Sequence, residues 1–381
     1  MKILFVSHTP MGGSFVVGSH HLARAMTAAG HAVAHLGPPV TPAHVVKFGD
    51  HFERQRLLRW FRGGEIIDGV LDLTPASAVP WALARRLPWD TYRLYGRCAS
   101  WSARALLRRH GFSRPDVVFV DEPRLGWLVE GCVEATVVYR PTDLYASIRA
   151  DDSITEAERR LCARARHFIA TSAPVADHLR GLGVAQVQVI ENGVDFAHFS
   201  EPAEAPFRHR VPAGQKVAVY AGAFDRRFGL ALMVAVVRAC PDVHFSLIGP
   251  IGAQAAAVLG GFANVCIHGP VPFARLPSYF ASADVGLLPL SADPSNQARS
   301  PMKLYEYAAA GLPVVATRTQ ELERRRLGFV TLADGVDDFA RAVREADRAA
   351  SAPLARAAAA DQGWQAKAET MLSWVLEARP C

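Results

Sequence analysis

The sequence predicts an α/β protein made of two doubly wound halves. Three observations carry this. Short apolar runs alternate with amphipathic segments along most of the chain. Each run ends in a loop rich in Gly, Pro or Asp. The alternation breaks once, near residue 205, and then restarts. At 381 residues the chain can bury two full-sized cores.

The first half opens on "KILFV", which reads as a buried parallel strand running into a loop with Gly12 and Gly13. "SHHLARAMTAAGHAVAHLG" gives a helix closed by Gly30 and a second strand. "PDVVFVDEP" (115–123) and "ATVVYRPTD" (135–143) are strands ending in loops, "TEAERRLCARARHFIATS" is a helix then a strand, and "VQVIENGVD" is a strand and turn. The Pro-rich stretch 199–215 reads as a linker. The second half then runs "KVAVYAGAF" (strand), "GLALMVAVVRACP" (helix), "VHFSLIGP" (strand), "NVCIHGP" (strand) and "PSYFASADVGLLPL" (helix and strand). This places one domain at 1–204 and another at 205–381. The final segment, "DQGWQAKAETMLSWVLEARP", reads as an amphipathic helix that packs back on the junction.

The net charge of +6 suits acidic partners without naming one. It is concentrated in the long connection 47–114, which holds 13 Lys and Arg against six Asp and Glu. This insert reads as extra helices. "RLLRWFR" (56–62) and "WSARALLRRHGF" (101–112) interleave basic and aromatic residues, as a solvated basic face or as a surface for anionic lipid, with Arg56, Arg59 and Arg62 as lipid contacts. The six cysteines show no close pair, which suggests neither zinc nor disulfides and fits a reducing cytoplasm. The first apolar run is too short for a signal peptide, and no run reaches the 18 residues of a spanning helix. The expected location is cytoplasmic, peripheral on the inner face of the membrane.

"SPMKLYEYAAAGLPVV" (300–315) is the segment richest in chemistry. Ser300 suits an N-cap and Pro301 the first helical position, and Gly311 with Pro313 stops the helix. Lys303 in the first turn opposes the helix dipole, yet it is well placed for an anion that N–H groups and dipole would also hold. Glu306, at i+3, shares its face and could accept bonds from a vicinal diol such as a ribose. An i,i+3 ion pair on a solvated helix is the plainer alternative.

At this point the chain resembles a known family. "SPMKLYEYAAAGLPVVAT" is similar to the nucleotide-sugar signature of GT-B glycosyltransferases, family 4-like and bacterial polysaccharide glucuronosyltransferase-like. "HFIATSAPVADHL", "VIENGVDFAHF", "GAFDRRFGLALM", "HFSLIGP" and "VCIHGPVPFARLPSYFASADVGLLPL" match in the same order, covering roughly residues 115–320. The resemblance implies two Rossmann-like domains facing across a cleft, with the acceptor on the first and the nucleotide sugar, a UDP-sugar, on the second. It implies a donor site of Gly222, Arg226, Met302, Lys303 and Glu306, with Lys303 on the pyrophosphate and Glu306 on the ribose. Arg226 reads equally well as a surface arginine. Retaining members usually carry another Glu eight residues before the ribose Glu. Ala298 stands there, which disfavours a retaining mechanism.

Inverting transfer needs a general base on the acceptor side. Asp143 lies just past the strand "VVYR", where a doubly wound domain presents catalytic groups. The segment resembles inverting glucuronosyltransferases whose base aspartate follows a similar strand, although an N-cap is an equal alternative. Gly12, Gly13, His20 and His21 form a phosphate or acceptor loop under the same resemblance. For the histidines a cap or packing role is the simpler reading. No metal and no further cofactor are expected. The expected acceptor is a saccharide or a lipid-linked saccharide, with no nucleic acid partner.

Other classes fit less well. A nucleotide-sugar epimerase or hydrolase of the same fold would not need the basic insert, and a retaining family 4-type transferase would want an acid at Ala298. A dead binding subunit would not need Asp143 beside Lys303 and Glu306. An NAD-dependent oxidoreductase would need Gly-x-Gly-x-x-Gly and an acid about 20 residues on. The chain shows "MGGSFVVGSHH" and "AHLGPP" instead.

Overall fold

The apolar runs of the first half form a sheet of β1 (Lys2–Val6), β2 (Ala32–Leu36), β3 (Glu65–Ile67), β4 (Val70–Leu73), β5 (Val117–Val120), β6 (Thr136–Tyr139), β7 (His167–Ala170) and β8 (Gln188–Val189). Their order is β3-β4-β2-β1-β5-β6-β7-β8, and only β3–β4 is antiparallel. Ile3 to Val6 of central β1 are fully buried, as expected of a parallel strand covered on both faces. The order reverses between β1 and β5, so the loops after these two strands leave the sheet side by side. The main helices are α1 (Gly18–Ala28), α2 (His51–Arg62), α3 (Thr91–Arg109) and α4 (Ser153–Arg164).

The computed structural model describes all residues except 14–15, 47–50, 88, 150, 202–203, 206–207, 209–210 and 378–381. The start of the basic insert, parts of the expected linker and the last four residues therefore lie outside the described residues.

The second half builds β9 (Lys216–Ala221), β10 (Val243–Ile248), β11 (Val265–Gly269), β12 (Val285–Leu288), β13 (Val314–Thr317) and β14 (Val330–Ala333), all parallel, in the order β11-β10-β9-β12-β13-β14. Counted within this sheet, that is the 3-2-1-4-5-6 order of a Rossmann-type domain, with its switch point between β9 and β12. Alternation of the pleat sends Val217, Val219 and Ala221 into one core, and Ala218 and Tyr220 into the other. Helix α5 (Met302–Ala309) follows β12, and α6 (Trp364–Glu377) ends the described chain.

Two units result: residues 1–191 with 367–381, and residues 192–366. The chain enters the second unit at Asn192, ahead of the expected boundary near 205. The reason is local. Asn192 Nδ2 donates to Ser300 O at 2.8 Å, Val194 bridges to Gly363, and Phe199 stacks on Phe280. Arg208, inside the expected linker, pairs with Asp284 at 2.6 Å. From Lys367 onward α6 belongs to the first unit, where the Trp374 ring lies 6.3 Å from His167.

The insert is not helical throughout, because β3 and β4 extend the first sheet beyond β2. Their anchor is electrostatic. His35 Nδ1 lies 2.9 Å from Asp72 Oδ1, and Arg59 Nη1 lies 2.6 Å from Asp72 Oδ2, all three groups being buried. Arg59 Nε also reaches Glu65 at 3.0 Å. Arg56, likewise buried, pairs with Glu53 at 2.7 Å and donates to Pro38 O. The expectation that Arg56 and Arg59 contact lipid is therefore corrected. Both guanidinium groups are turned inward, Arg56 onto the Pro38–Pro39 turn and Arg59 onto Asp72 and Glu65, and of the three only Arg62 is exposed.

Candidate active site

The switch point of the second unit gathers the loops after β9 and β12. Gly222 follows β9 and its N–H bonds Ile248 O at 2.9 Å. Gly249, at φ +134°, lies so close that a Cβ there would stand 1.8 Å from Gly222 O, and a Cβ on Gly222 would stand 2.7 Å from the Tyr220 hydroxyl. Backbone packs on backbone here, which only glycine permits. The loop after β12 is tied down from within. Asn296 Nδ2 donates to Arg227 O and Ser291 O, both at 3.0 Å, and Asp293 accepts from Ser295. Arg226 Nε lies 3.2 Å from Asp293 Oδ2, so this arginine spans the two loops. Burial pushes the Asp293 carboxyl up, but hydrogen bonds from Ser295 and the charges of Arg226 and Arg227 outweigh it and hold it below the usual range.

Helix α5 starts at this crevice, with a different cap from the expected one. Pro301 is the cap residue and makes no side-chain cap bond, so the helix begins at Met302. The Ser300 hydroxyl is engaged elsewhere. It accepts from Arg325 Nη2 at 2.8 Å and from Asn192 N at 3.3 Å. The first N–H groups of α5 are thus left without a side-chain acceptor at the cap. Lys303 Nζ sits 2.5 Å from Glu306 Oε2. The plain i,i+3 pair is present, but not on a solvated face: the Glu306 side chain is 4% exposed and Lys303 24%. A buried carboxylate needs such a partner. An ammonium has three donors, so one can serve Glu306 while others remain for a ligand. One residue on, the Tyr307 hydroxyl accepts from Ala221 N at 2.8 Å, which pins α5 to the end of β9.

In the first unit, the loop after β1 is clamped from below. His20 is buried at the start of α1, its Nδ1 accepting from Val17 N at 3.4 Å and its Nε2 lying 2.9 Å from Thr9 O. Burial, then the neighbouring His35, holds its pKa well below the ordinary value, so the ring is neutral. Arg59 Nη1 donates to Met11 O at 2.9 Å, and Met11 N to Asp72 at 3.4 Å. Gly12, at φ +70°, completes the turn, and a Cβ on Gly13 would stand 2.6 Å from the Phe52 ring. His21 is buried as well. The histidine pair is therefore packed into the helix start, and His20 caps it.

Asp143 lies half-buried in the loop after β6, just before the short helix Tyr145–Arg149. Its neighbour Tyr145 is buried, with its hydroxyl 2.7 Å from Thr142 Oγ1 and 3.2 Å from His8 Nδ1. Burial raises the Tyr145 pKa, and the charges of Glu122, Asp143 and Asp121 add to this. The structure so brings His8, from the end of β1, to the Asp143 loop. His8 also lines a cavity of about 460 Å³ with Thr9, Trp81, Tyr95 and Arg124. Sequence reasoning passed over His8. Its position directly after the first strand was the available signal.

Two family models divide the chain between them: Glycosyltransferase Family 4 over residues 16–198 and Glycosyl transferases group 1 over 215–346. The chain is a family 4-like glycosyltransferase of GT-B fold. It is 28% identical over 211 residues to a teichuronic acid biosynthesis glycosyltransferase, TuaH, of Bacillus subtilis, with the match covering 51% of this chain and 53% of the relative. The matched stretch spans about half the length of that relative. Among solved structures it is similar to a sucrose-phosphate synthase of Thermosynechococcus elongatus, with a TM-score of 0.75 and 18% identity over 99% of this chain and 98% of the other. It is also similar to HepE of Anabaena, in complex with UDP and glucose, with a TM-score of 0.69 and 16% identity over the whole of both chains. Among the described residues of this glycosyltransferase, no helix is long and apolar enough to cross a membrane.

Proposed function

We propose that this glycosyltransferase moves a sugar from a UDP-sugar to a hydroxyl of a lipid-linked saccharide during synthesis of a cell-surface polysaccharide, with inversion at the sugar. The observation that carries the donor half is the Lys303–Glu306 pair, set in the first turns of α5 at the switch point. Phosphate would meet the Lys303 ammonium and the first N–H groups of α5, and the ribose would meet Glu306, with Met302, Gly222 and Arg226 around them. The UDP named with HepE and the polysaccharide pathway named with TuaH support these choices.

In the reaction, the acceptor oxygen attacks the anomeric carbon as the bond to the diphosphate breaks. The bonding pair leaves on the diphosphate, where Lys303 offsets the new charge, and Asp143 takes the acceptor proton. No step passes through a metal. Ala298 is buried and offers no carboxylate to the sugar, which supports inversion over retention. A glycosyltransferase acting on a lipid-linked acceptor would work at the cytoplasmic membrane surface, as a peripheral protein.

Three variants test this. Lys303→Ala is expected to weaken UDP about tenfold or more, the loss of one charge-assisted bond. Glu306→Ala should weaken UDP and leave uracil binding unaffected. Asp143→Asn should keep UDP affinity and the melting temperature while kcat falls by about 10²–10⁴. Parental UDP affinity in the first two, measured by calorimetry, would remove the donor assignment. Near-parental turnover of Asp143→Asn would remove the base and the preference for inversion.

A further inference from the structure

Helix α3 carries a basic stripe with a tryptophan in its middle. At 3.6 residues per turn, Arg93, Arg97, Trp101, Arg104 and Arg108 fall within an arc of roughly 80°. All five are exposed, Trp101 at 60%. The opposite arc, including Tyr92, Tyr95, Ala99, Ala103 and Leu106, is buried. The helix has five arginines and no acid. Arg93 lies 3.9 Å from Asp90, whose carboxylate is already held by Arg160 at 2.6 Å. Among the described residues, no carboxylate pairs with Arg97, Arg104 or Arg108. The Trp101 indole N–H donates to Cys98 O at 3.0 Å, which satisfies its polar edge and leaves the exposed ring surface apolar.

The end of α2 lies beside the end of α3. His110 Nε2 lies 2.7 Å from Gly63 O, which joins the two helix ends, and just before Gly63 stand exposed Arg62 and Phe61, the latter 71% exposed. Arg104 and Arg108 are like charges at i,i+4, which weaken an isolated helix. Exposed Trp and Phe rings add apolar surface in water. Both features suit a partner that offers negative charge at its surface and apolar material just beneath it. An anionic bilayer has that layering: arginines meet lipid phosphates while aromatic rings settle at headgroup depth.

We infer that the outer face of α3, with the end of α2, docks the first unit on an anionic bilayer, the helix axis lying along the surface. Arg97, Trp101, Arg104 and Arg108 are the contacts. The inference rests on the reading of a lipid-linked acceptor and says which face meets the lipid, but its test needs no turnover.

The test is flotation of the full chain with phosphatidylcholine vesicles, with and without phosphatidylglycerol. The parent should bind the anionic vesicles, more weakly as salt rises, and bind neutral ones little. Arg97→Gln/Arg104→Gln/Arg108→Gln should lower that binding about a hundredfold, at about fivefold per arginine. Trp101→Ala should lower it severalfold. Arg238→Gln/Arg275→Gln/Arg341→Gln, in the second unit, removes the same charge and should keep most of the binding. Equal losses in both triple variants, or no parental binding, would overturn the inference. So would duplex DNA held by the same three arginines in the absence of vesicle binding. All these sites are exposed, so folding is preserved, and UDP calorimetry on the same samples reports the donor site separately. Lost vesicle binding with intact UDP binding, or the reverse, shows which of the two readings has failed.

Discussion

The two units solve one problem in different ways. Each has a strand-order reversal, β1/β5 in the first and β9/β12 in the second, and each sets a glycine loop beside it. In the second unit the loop is shaped by contact between backbones at Gly222 and Gly249, and the charged pair Lys303–Glu306 stands partly open beside it. In the first unit the loop is shaped by buried polar side chains: His20 holds Thr9, and Arg59 with Asp72 holds Met11. The comparison teaches that similar charges have opposite uses. Buried Arg59 spends its Nε and Nη1 on Glu65, Asp72 and Met11 O, whereas half-covered Lys303 keeps donors for a ligand.

The largest expected effect comes from breaking that contrast at Asp72. Asp72→Ala leaves Arg59 and His35 buried without their common partner, a loss of roughly 3–5 kcal/mol when one member of a buried pair is removed. Urea unfolding should show this as a lower midpoint for the first unit. Lys303→Ala also leaves a carboxylate, Glu306, without its partner, but that pair is partly open to solvent, so the midpoint should fall less. A loss below about 1 kcal/mol for Asp72→Ala, the range of exposed pairs, would mean that the cluster does not hold the loop.

A smaller effect should separate the two loops by function. Gly12→Ala and Gly249→Ala both place a side chain at positive φ, at +70° and +134°. The strain should be on the order of 1–3 kcal/mol in each. Only Gly249→Ala drives a Cβ into backbone, at 1.8 Å from Gly222 O, so only this variant should push the β9 and β10 loops apart and weaken UDP. Equal UDP affinity in the two variants would detach the Gly222 loop from the donor site.

The same contrast explains what was legible in the sequence. Strands β9 to β13 of the second unit, α5 and the Lys303–Glu306 spacing follow from apolar runs and helix periodicity, signals that are local. The cap at Ser300 was misplaced because its hydroxyl answers to Arg325 and Asn192, far away in sequence. Strands β3 and β4 fall inside the insert that reads as extra helices, since Gly63, Gly64 and Gly69 surround them and Asp72 interrupts "VLDL". Without β4, the partner of Arg59 was invisible, and a buried cluster passed for basic surface. β14 also went unassigned. His8 was missed because its link to Asp143 runs through Tyr145, 137 residues away from it in sequence.

The smallest expected effect is a difference in acid tolerance between the two loops. In the first unit the governing group is His20, whose folded pKa is depressed by burial and by His35. A depressed histidine contributes its full stability above its unfolded value near 6.5 and loses it as pH falls below that value. In the second unit the governing groups are Asp293 and Asp225. Burial would raise both carboxyls, but bonds from Ser295 to the first and from Arg227 to the second, with the surrounding arginine charges, bring both below the usual range. Their contribution is complete above the unfolded carboxylate value near 3.9 and fades only as pH falls through it. Residues 9–13 should therefore open at a higher pH than residues 223–229. Amide hydrogen exchange measured from pH 7.5 down to about 4.5, corrected for the intrinsic pH dependence, should show protection falling in the first loop below about 6.5 and holding in the second. His178 supplies an internal control of opposite sign. Its bond to Glu158 raises its pKa, so that contact is fully formed below about 6.5 and fades as pH rises through the raised value. Loss of protection in the first loop at mildly acid pH thus cannot come from His178. If both loops kept their protection down to pH 4.5, His20 would not be what holds the first.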